Sequence, residues 1–600
     1  MKLRNLTIAL LSFLAISLQA QTYNEYELSF DNAVHHEANI KIKFSNLENK
    51  VLEVRMSRSS PGRYAVHEFA KNVYNVKATD GNGKALPITR ENPYQWNVAG
   101  HNGTVHFEYT LYANRAGGTY SGIDESHAHL NMPATLAWAR GLDQRPIKVK
   151  FNVREDRNWK VATQLKDLGN NTFYAPNTYY LMDSPTEIAD LYFRERNVDG
   201  QTIRLALHKD GTTDAEVDAY FEETMGIVMQ QKAVFGELAT YDFGQYTFLS
   251  CYMPNASGDG MEHRNSTYVV SGLPVERPLG STSMGTMSHE FFHSWNVERI
   301  RPKSLEPFSF EDANMSGELW FAEGFTSYYT ALMQARSGSI SPEQYVSGLG
   351  GSVGYVVNAP GRSFHNPIEM SYQAPFVDAA TSIDPTNLSN IFISYYTYGS
   401  VLGLALDMSL RTMDNGKNLD DYMKYVWEKQ GKTEIPYTVR DLQARMAEYA
   451  GESFANEFFG KYILDSQMPD YASLFKKMGV TYTNRAEGRA SIGGNIRNQR
   501  GGWQLTGNAT VGSPIYKAGV ESEDVILSLA GTVLTDDSNI NEIIAAHKPG
   551  DTIEIKYRKI WGEEKTSKLT LEEAQAWSTG MDANADAKAK ARREAWLRKK

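Results

Sequence analysis

Six hundred residues are more than one core organises, and at 41% apolar and 22% charged residues the chain can bury several cores and is not a disordered polymer. A formal net charge of −10 excludes the basic footprint of a nucleic-acid binder. Beyond the N-terminus no stretch reaches the ~20 apolar residues that a membrane span requires.

The first residues, MKLRNLTIALLSFLAISLQAQ, place Lys2 and Arg4 before an apolar run from Leu6 to Leu18 and then Ala20. This is the build of a secretory signal peptide over 1–20, cleaved after Ala20, and it implies a periplasmic or secreted protein. The run is short for an anchor, and no cysteine follows it. The single cysteine, Cys251, permits no internal disulfide. It lies in YTFLSCYM, an apolar strand-like run, where a buried small hydrophobe is expected rather than a reactive thiol.

From 21 to 198 the pattern is short and alternating (YELSF, ANIKIKFSNL, TVHFEYTLYA, IKVKFNV), with turn clusters such as DGNGK between the segments. That predicts an all-β, sandwich-like domain. From 199 to 484 the texture changes. TDAEVDAYFEETMGIVMQQKAVFG has helical period, YTFLSCYM is a strand, and helices dominate from Gly285, which predicts an α-rich domain with a small sheet. TVRDLQARMAEYAG opens with Thr438 and Asp441 in capping-box spacing. Residues 485–575 read as strand, helix and strand with glycine turns. The last segment, 576–600, is basic and helix-prone and is expected to be a solvated tail.

The densest chemistry is MSHEFFHSWN. Its surroundings carry no proline and have helical apolar spacing, so His289 and His293 share one helix face, where both imidazoles reach one Zn²⁺ at ~2.0–2.1 Å. Glu290 projects beside them, free to take a proton from water without occupying a ligand position. A catalytic zinc wants a third protein ligand. A second amphipathic helix, SGELWFAEGFTSYYTALMQARSG, offers Glu318 and Glu323. Glu318 is a first-turn acid favoured by the helix dipole. Glu323, set among Trp320, Phe321, Ala322 and Phe325, needs a strong partner, and a metal is the strongest. Two other histidine groups differ. His67 and Glu68 have no second histidine four residues on. His127 and His129, two apart in SHAHL, share a strand face; they are expected on the surface or in a substrate cleft, with a second metal as the alternative.

LWFAEGFTSYY resembles the segment of the neutral aminopeptidases whose glutamate completes a two-His, one-Glu zinc site, which implies His289, His293 and Glu323 as ligands and Glu290 as general base in a thermolysin-like catalytic domain. GSPIYKAGVESEDVILSLAGTVL resembles a bacterial PDZ domain, with Ser522-Glu523-Asp524 and Ala530 departing from the usual residues. The longer spacer between His293 and Glu323, the stretch RIRPKSLEPF, the β domain and the PDZ segment together are similar to the glycyl aminopeptidase family of PDZ-containing zinc peptidases (gluzincin clan), with SPGRYAVHEFAKNV adding to the match. DGMEHRNST resembles the segment whose glutamate binds the substrate α-amine, which puts that role on Glu262; Asp259 and His263 depart from the pattern, and an ordinary strand-turn acid is the alternative. ISYYTYGSVLG resembles the segment whose tyrosine hydrogen-bonds the oxyanion, which points to Tyr396, with Tyr395 and Tyr398 as rivals.

The resemblance implies a zinc-dependent aminopeptidase that hydrolyses peptides with a free N-terminus, preferring Gly or Ala there, with a PDZ domain able to hold a peptide or protein C-terminus. A thermolysin-type zinc endopeptidase and a non-catalytic PDZ-containing binding protein are the alternative readings.

Overall fold

The computed structural model describes residues 21–378, 380, 382–413 and 415–600; the expected signal peptide lies outside them. The N-terminal region builds three sheets. The largest has seven strands, among them Asn24–Ser29, Glu37–Phe44, Val105–Tyr112 and Ile147–Asn152, antiparallel except where Asn24–Ser29 runs parallel to Ile147–Asn152. Alternation sends Leu28, Ile40, Ile42, Phe107 and Val149 inward, against Trp96 and Val98 of a four-stranded sheet. A third sheet, ordered Lys160–Thr163, Thr186–Ala189, His127–Leu130 and Gly122–Ile123, turns toward the rest of the molecule.

The second region opens with a five-stranded sheet ordered Tyr192–Val198, Gln201–His208, Gln245–Tyr252, Ser266–Ser271 and Asp259–His263. The break between regions therefore falls before Tyr192, not at 198. Tyr192–Val198 pairs along its whole length with Gln201–His208, and its alternation continues that of the preceding domain, so the sequence pattern does not mark the change. The central strands are parallel, and helix Asp214–Phe235, started by a Thr213/Glu216 capping box, makes the crossover between two of them. Helices then bury a core in which Phe292 stacks on Tyr329 at 4.6 Å and Phe235 on Trp295 at 4.6 Å.

A separate core holds the PDZ region, where Ile496, Leu505, Ile526, Leu529, Ile555 and Leu569 come from the antiparallel strands. Here Asp524 accepts hydrogen bonds from the Glu521 N–H (2.8 Å) and from Lys559 Nζ (2.7 Å), which fixes the strand entry. The expected solvated tail is instead docked. Trp577–Met581 pairs with Val480–Asn484, and helix Ala587–Leu597 lays Trp596, fully buried, into the core of the second region. Trp596 donates from Nε1 to the Tyr328 hydroxyl (2.9 Å), Arg336 donates to the Trp596 carbonyl (2.8 Å), and Lys600 pairs with Asp420 at 2.5 Å. The segment is basic, yet a buried indole anchors it.

Candidate active site

Three elements meet in a cavity of about 440 Å³. The first is the histidine helix, Met284–Phe292, capped by His293. Met284, Met287, Phe291 and Phe292 are buried, which leaves His289 and His293 on the cavity side with ring centroids 4.7 Å apart. The second is the glutamate segment, helices Leu319–Ala322 and Gly324–Ser337, with Glu323 at the junction. The third is helix Tyr395–Arg411. The last two cross at glycines. A Cβ on Gly324 would stand 2.3 Å from Gly399 Cα, and one on Gly399 would stand 1.9 Å from the Trp320 carbonyl oxygen. Only that close approach brings the first turn of Tyr395–Arg411 over Glu323.

The convergence is tight. His289 Nε2 and His293 Nε2 are 3.1 Å apart, and Glu323 Oε2 lies 3.4 Å from the first and 3.3 Å from the second. Bonds of ~2.0–2.1 Å in tetrahedral geometry require ligand atoms ~3.3–3.4 Å apart, so the three donors fit a zinc-sized cation. Each donor is also aimed. His293 Nδ1 donates to the Asn296 carbonyl (2.7 Å), His289 Nδ1 is 3.1 Å from Thr330 Oγ1, and Tyr64 donates to Glu323 Oε1 (2.8 Å). Such outer partners set tautomer and ring orientation. Glu323 Oε2, buried, has no hydrogen-bond partner among the described residues. Burial alone would raise the Glu323 carboxyl, but His293 and His289 overcome it and hold it below the ordinary carboxylate range.

Two more carboxylates face the same space. One ligand-capable atom each from Glu262, Glu290 and His293 lie within 4.8 Å of one another. Burial pushes Glu290 well up, with His293 opposing and Glu262 and Glu323 adding to the rise; Glu262 is raised by burial too. Glu262 sits on the sheet's edge strand, Asp259–His263, and the chain passes so close that a Cβ on Gly260 would lie 2.2 Å from Glu290 Oε1. The two departures in that strand are structural. Asp259 pairs with Arg63, and His263 Nδ1 bonds Asp183 at 2.9 Å.

Of the three tyrosines, Tyr396 lines the cavity, its ring 5.9 Å from that of His289. Burial and the Glu323 charge raise its hydroxyl well above the usual range, so it keeps its proton and can donate. Tyr395 is buried edge-on to Tyr64, and Tyr398 lies in the core beneath. Glu318, at the end of the glutamate segment, accepts from Ser304 (2.8 Å) and Ser316 (3.0 Å) and stays outside the cavity.

Sequence reasoning missed the N-terminal domain's contribution. Arg63 bridges Asp259 and Asp378, and Tyr64, through its N–H, bonds Asp378 (3.1 Å) while its hydroxyl holds Glu323. The stretch SPGRYAVHEFAKNV contained the signal. Gly62, at φ +77, leaves no room for a Cβ, which would stand 2.9 Å from Glu262 Oε2.

Family comparisons match residues 25–190 to the Peptidase M61 N-terminal domain, 282–402 to the M61 glycyl aminopeptidase and 490–572 to a PDZ domain. The chain thus carries both M61 domains, the N-terminal one and the glycyl aminopeptidase one, followed by a PDZ domain. This M61 protein is a metallopeptidase. Among solved structures it is similar to an aminopeptidase N family protein from Idiomarina loihiensis, with a TM-score of 0.81, 24% identity, and coverage of 96% of this chain and 100% of the other. An M1 zinc metallopeptidase from Deinococcus radiodurans aligns with a TM-score of 0.45, 13% identity, and coverage of 75% and 95%. Yeast LTA4 hydrolase in complex with bestatin aligns with a TM-score of 0.42, 14% identity, and coverage of 76% and 67%. A search of curated proteins found no match.

Proposed function

We propose that this metallopeptidase is a zinc aminopeptidase that removes small N-terminal residues, Gly or Ala, from peptides. The carrying observation is the joint placement of two imidazoles and Glu323 at ligand distance with a further carboxylate, Glu262, on the edge strand beside them. His289, His293 and Glu323 would hold Zn²⁺, which when bound polarises the scissile carbonyl and acidifies water.

The protein's own groups do the rest. An ammonium brought against this partly buried site needs a carboxylate opposite it, and Glu262 supplies one; an internal peptide bond brings no such charge. Glu290 accepts the proton of the attacking water and passes it to the leaving amine. The Tyr396 hydroxyl donates to the oxyanion as it develops. The family description supports the Gly preference, the leader sequence supports export, and the PDZ domain supports binding of a peptide or protein C-terminus.

The test is a panel of Ala- and Gly-initiated peptides, free and N-acetylated, with and without chelator. Hydrolysis confined to free N-termini and abolished by chelation is expected. Efficient cleavage of the acetylated peptides would remove the amine-anchoring role of Glu262 and favour an endopeptidase.

A further inference from the structure

A second group of metal-binding side chains lies between the third sheet of the N-terminal domain and the catalytic sheet. His127 and Glu187 come from adjacent strands of the former, and His208 and Cys251 from adjacent parallel strands of the latter, where the two are register partners. All four are buried, at 2%, 0%, 4% and 0% exposure. His127 and His129 are therefore interior residues, not surface or cleft ones. The two sheets pack face to face here, and SHAHL supplies the inner strand.

One ligand atom each from His127, Glu187 and Cys251 lie within 4.8 Å of one another. His208 Nδ1 stands 3.7 Å from Glu187 Oε1 and 3.9 Å from Cys251 Sγ. With metal–nitrogen and metal–oxygen bonds of ~2.0–2.2 Å and a metal–sulfur bond of ~2.3 Å, neighbouring donors of a tetrahedral site lie ~3.4–3.7 Å apart; the two His208 distances are close to that, and the other three donors draw together on the ion from separations of up to 4.8 Å. The outward-facing atoms are already engaged. His127 Nδ1 bonds Asp124 Oδ1 at 3.0 Å, and Glu187 Oε2 bonds His129 Nδ1 at 2.7 Å, while His129 Nε2 is fixed by the Gly117 carbonyl at 2.9 Å. The inward-facing atoms, His127 Nε2 and Glu187 Oε1, are buried without a hydrogen-bond partner among the described residues. Two buried polar atoms without a hydrogen-bond partner, close to a buried thiol, are costly unless something joins them.

We propose that this cluster is a second, structural metal site, taking a zinc-class divalent cation on His127 Nε2, Glu187 Oε1 and Cys251 Sγ, with His208 Nδ1 beside them as the fourth donor. Binding displaces the Cys251 thiol proton to solvent, so the sulfur ligates as thiolate. Four protein donors leave no open coordination position, and all four are buried, so its role is to clamp the two domains behind the strand that carries Glu262.

The test uses the full chain and metal alone. After loading with Zn²⁺ and removal of excess, wild type should hold two equivalents, and a His289→Ala/His293→Ala variant one. Loaded with Co²⁺, both should show a near-ultraviolet thiolate-to-cobalt charge-transfer band, which His/His/Glu ligation cannot produce, and Cys251→Ser should lose it. Because the band is read in wild type, the test does not depend on Cys251→Ser folding. One equivalent in wild type with none in the double variant, or a cobalt-loaded protein without the band, would overturn the proposal.

Discussion

The active-site cavity and the interdomain cluster use nearly the same parts, two histidines and a glutamate with carboxylate or hydroxyl partners behind them, and differ in access. His289 borders an open cavity of about 440 Å³, with Glu290, Glu262 and Tyr396 crowded around the donor atoms. His127, Glu187, His208 and Cys251 are sealed between two sheets, and Cys251 takes the place that solvent and substrate would need. Donor chemistry alone thus does not make a catalytic centre; an open coordination position flanked by proton-handling groups does.

Substitutions that separate catalysis from folding test this contrast most strongly. Glu290→Gln should cut kcat by about 10²–10⁴-fold while zinc content and melting temperature stay near wild type. Glu187→Gln, the corresponding change in the sealed cluster, should do the reverse, lowering the melting temperature and leaving kcat per folded molecule close to wild type. Similar loss of kcat in both would break the comparison. Tyr396→Phe comes next, with kcat expected to fall about 10²-fold and KM to change little in steady-state assays, because the hydroxyl acts as charge develops. Tyr64→Phe should be milder. Removing the donor to Glu323 Oε1 should weaken zinc affinity about 10–100-fold in competition with a chelator. Unchanged affinity would mean that Glu323 is held by packing alone.

How far each region is legible in the sequence follows the same divide. His289, Glu290 and His293 lie within five positions, and one helical period brings them together, so local spacing suffices. Glu323 is distant but sits where two helical segments meet, among apolar neighbours that leave a buried acid no other solvent. Glu262 and Tyr396 needed family resemblance, since a strand acid and one tyrosine of three carry no local signature; the Gly324–Gly399 crossing that selects Tyr396 is a tertiary fact. The sealed cluster draws one residue from each of four strands across two domains, and no periodicity links His127, Glu187, His208 and Cys251. Trp596 shows the same blindness, because charge composition describes its neighbours and not where its indole is buried. The PDZ region was readable from its turns, although Ala530 sits at φ +50, a conformation that asparagine or glycine would adopt with less strain.

His67 sharpens the comparison as a third kind of buried histidine, one with no carboxylate on its ring. Its Nδ1 meets the Tyr120 hydroxyl at 3.0 Å, its face stacks on Phe69 at 5.1 Å, and its Nε2 is buried without a partner among the described residues. Burial, reinforced by the charges of Arg63 and Lys71, depresses its pKa from 6.5 to about 4. A histidine whose folded pKa lies below its unfolded value stabilises the fold fully above the unfolded pKa. That contribution is lost as pH falls through the folded one. Between pH 6.5 and about 4 this group alone should therefore cost on the order of 1–3 kcal/mol of stability, the unfolded chain binding the proton that the folded one refuses. His67→Phe removes the titration. Denaturant melts at pH 7 and pH 4.5 should show a smaller gap for the variant than for wild type, whatever its absolute stability. Equal gaps would mean that the protonated ring finds a partner in the fold and that its isolation is only apparent.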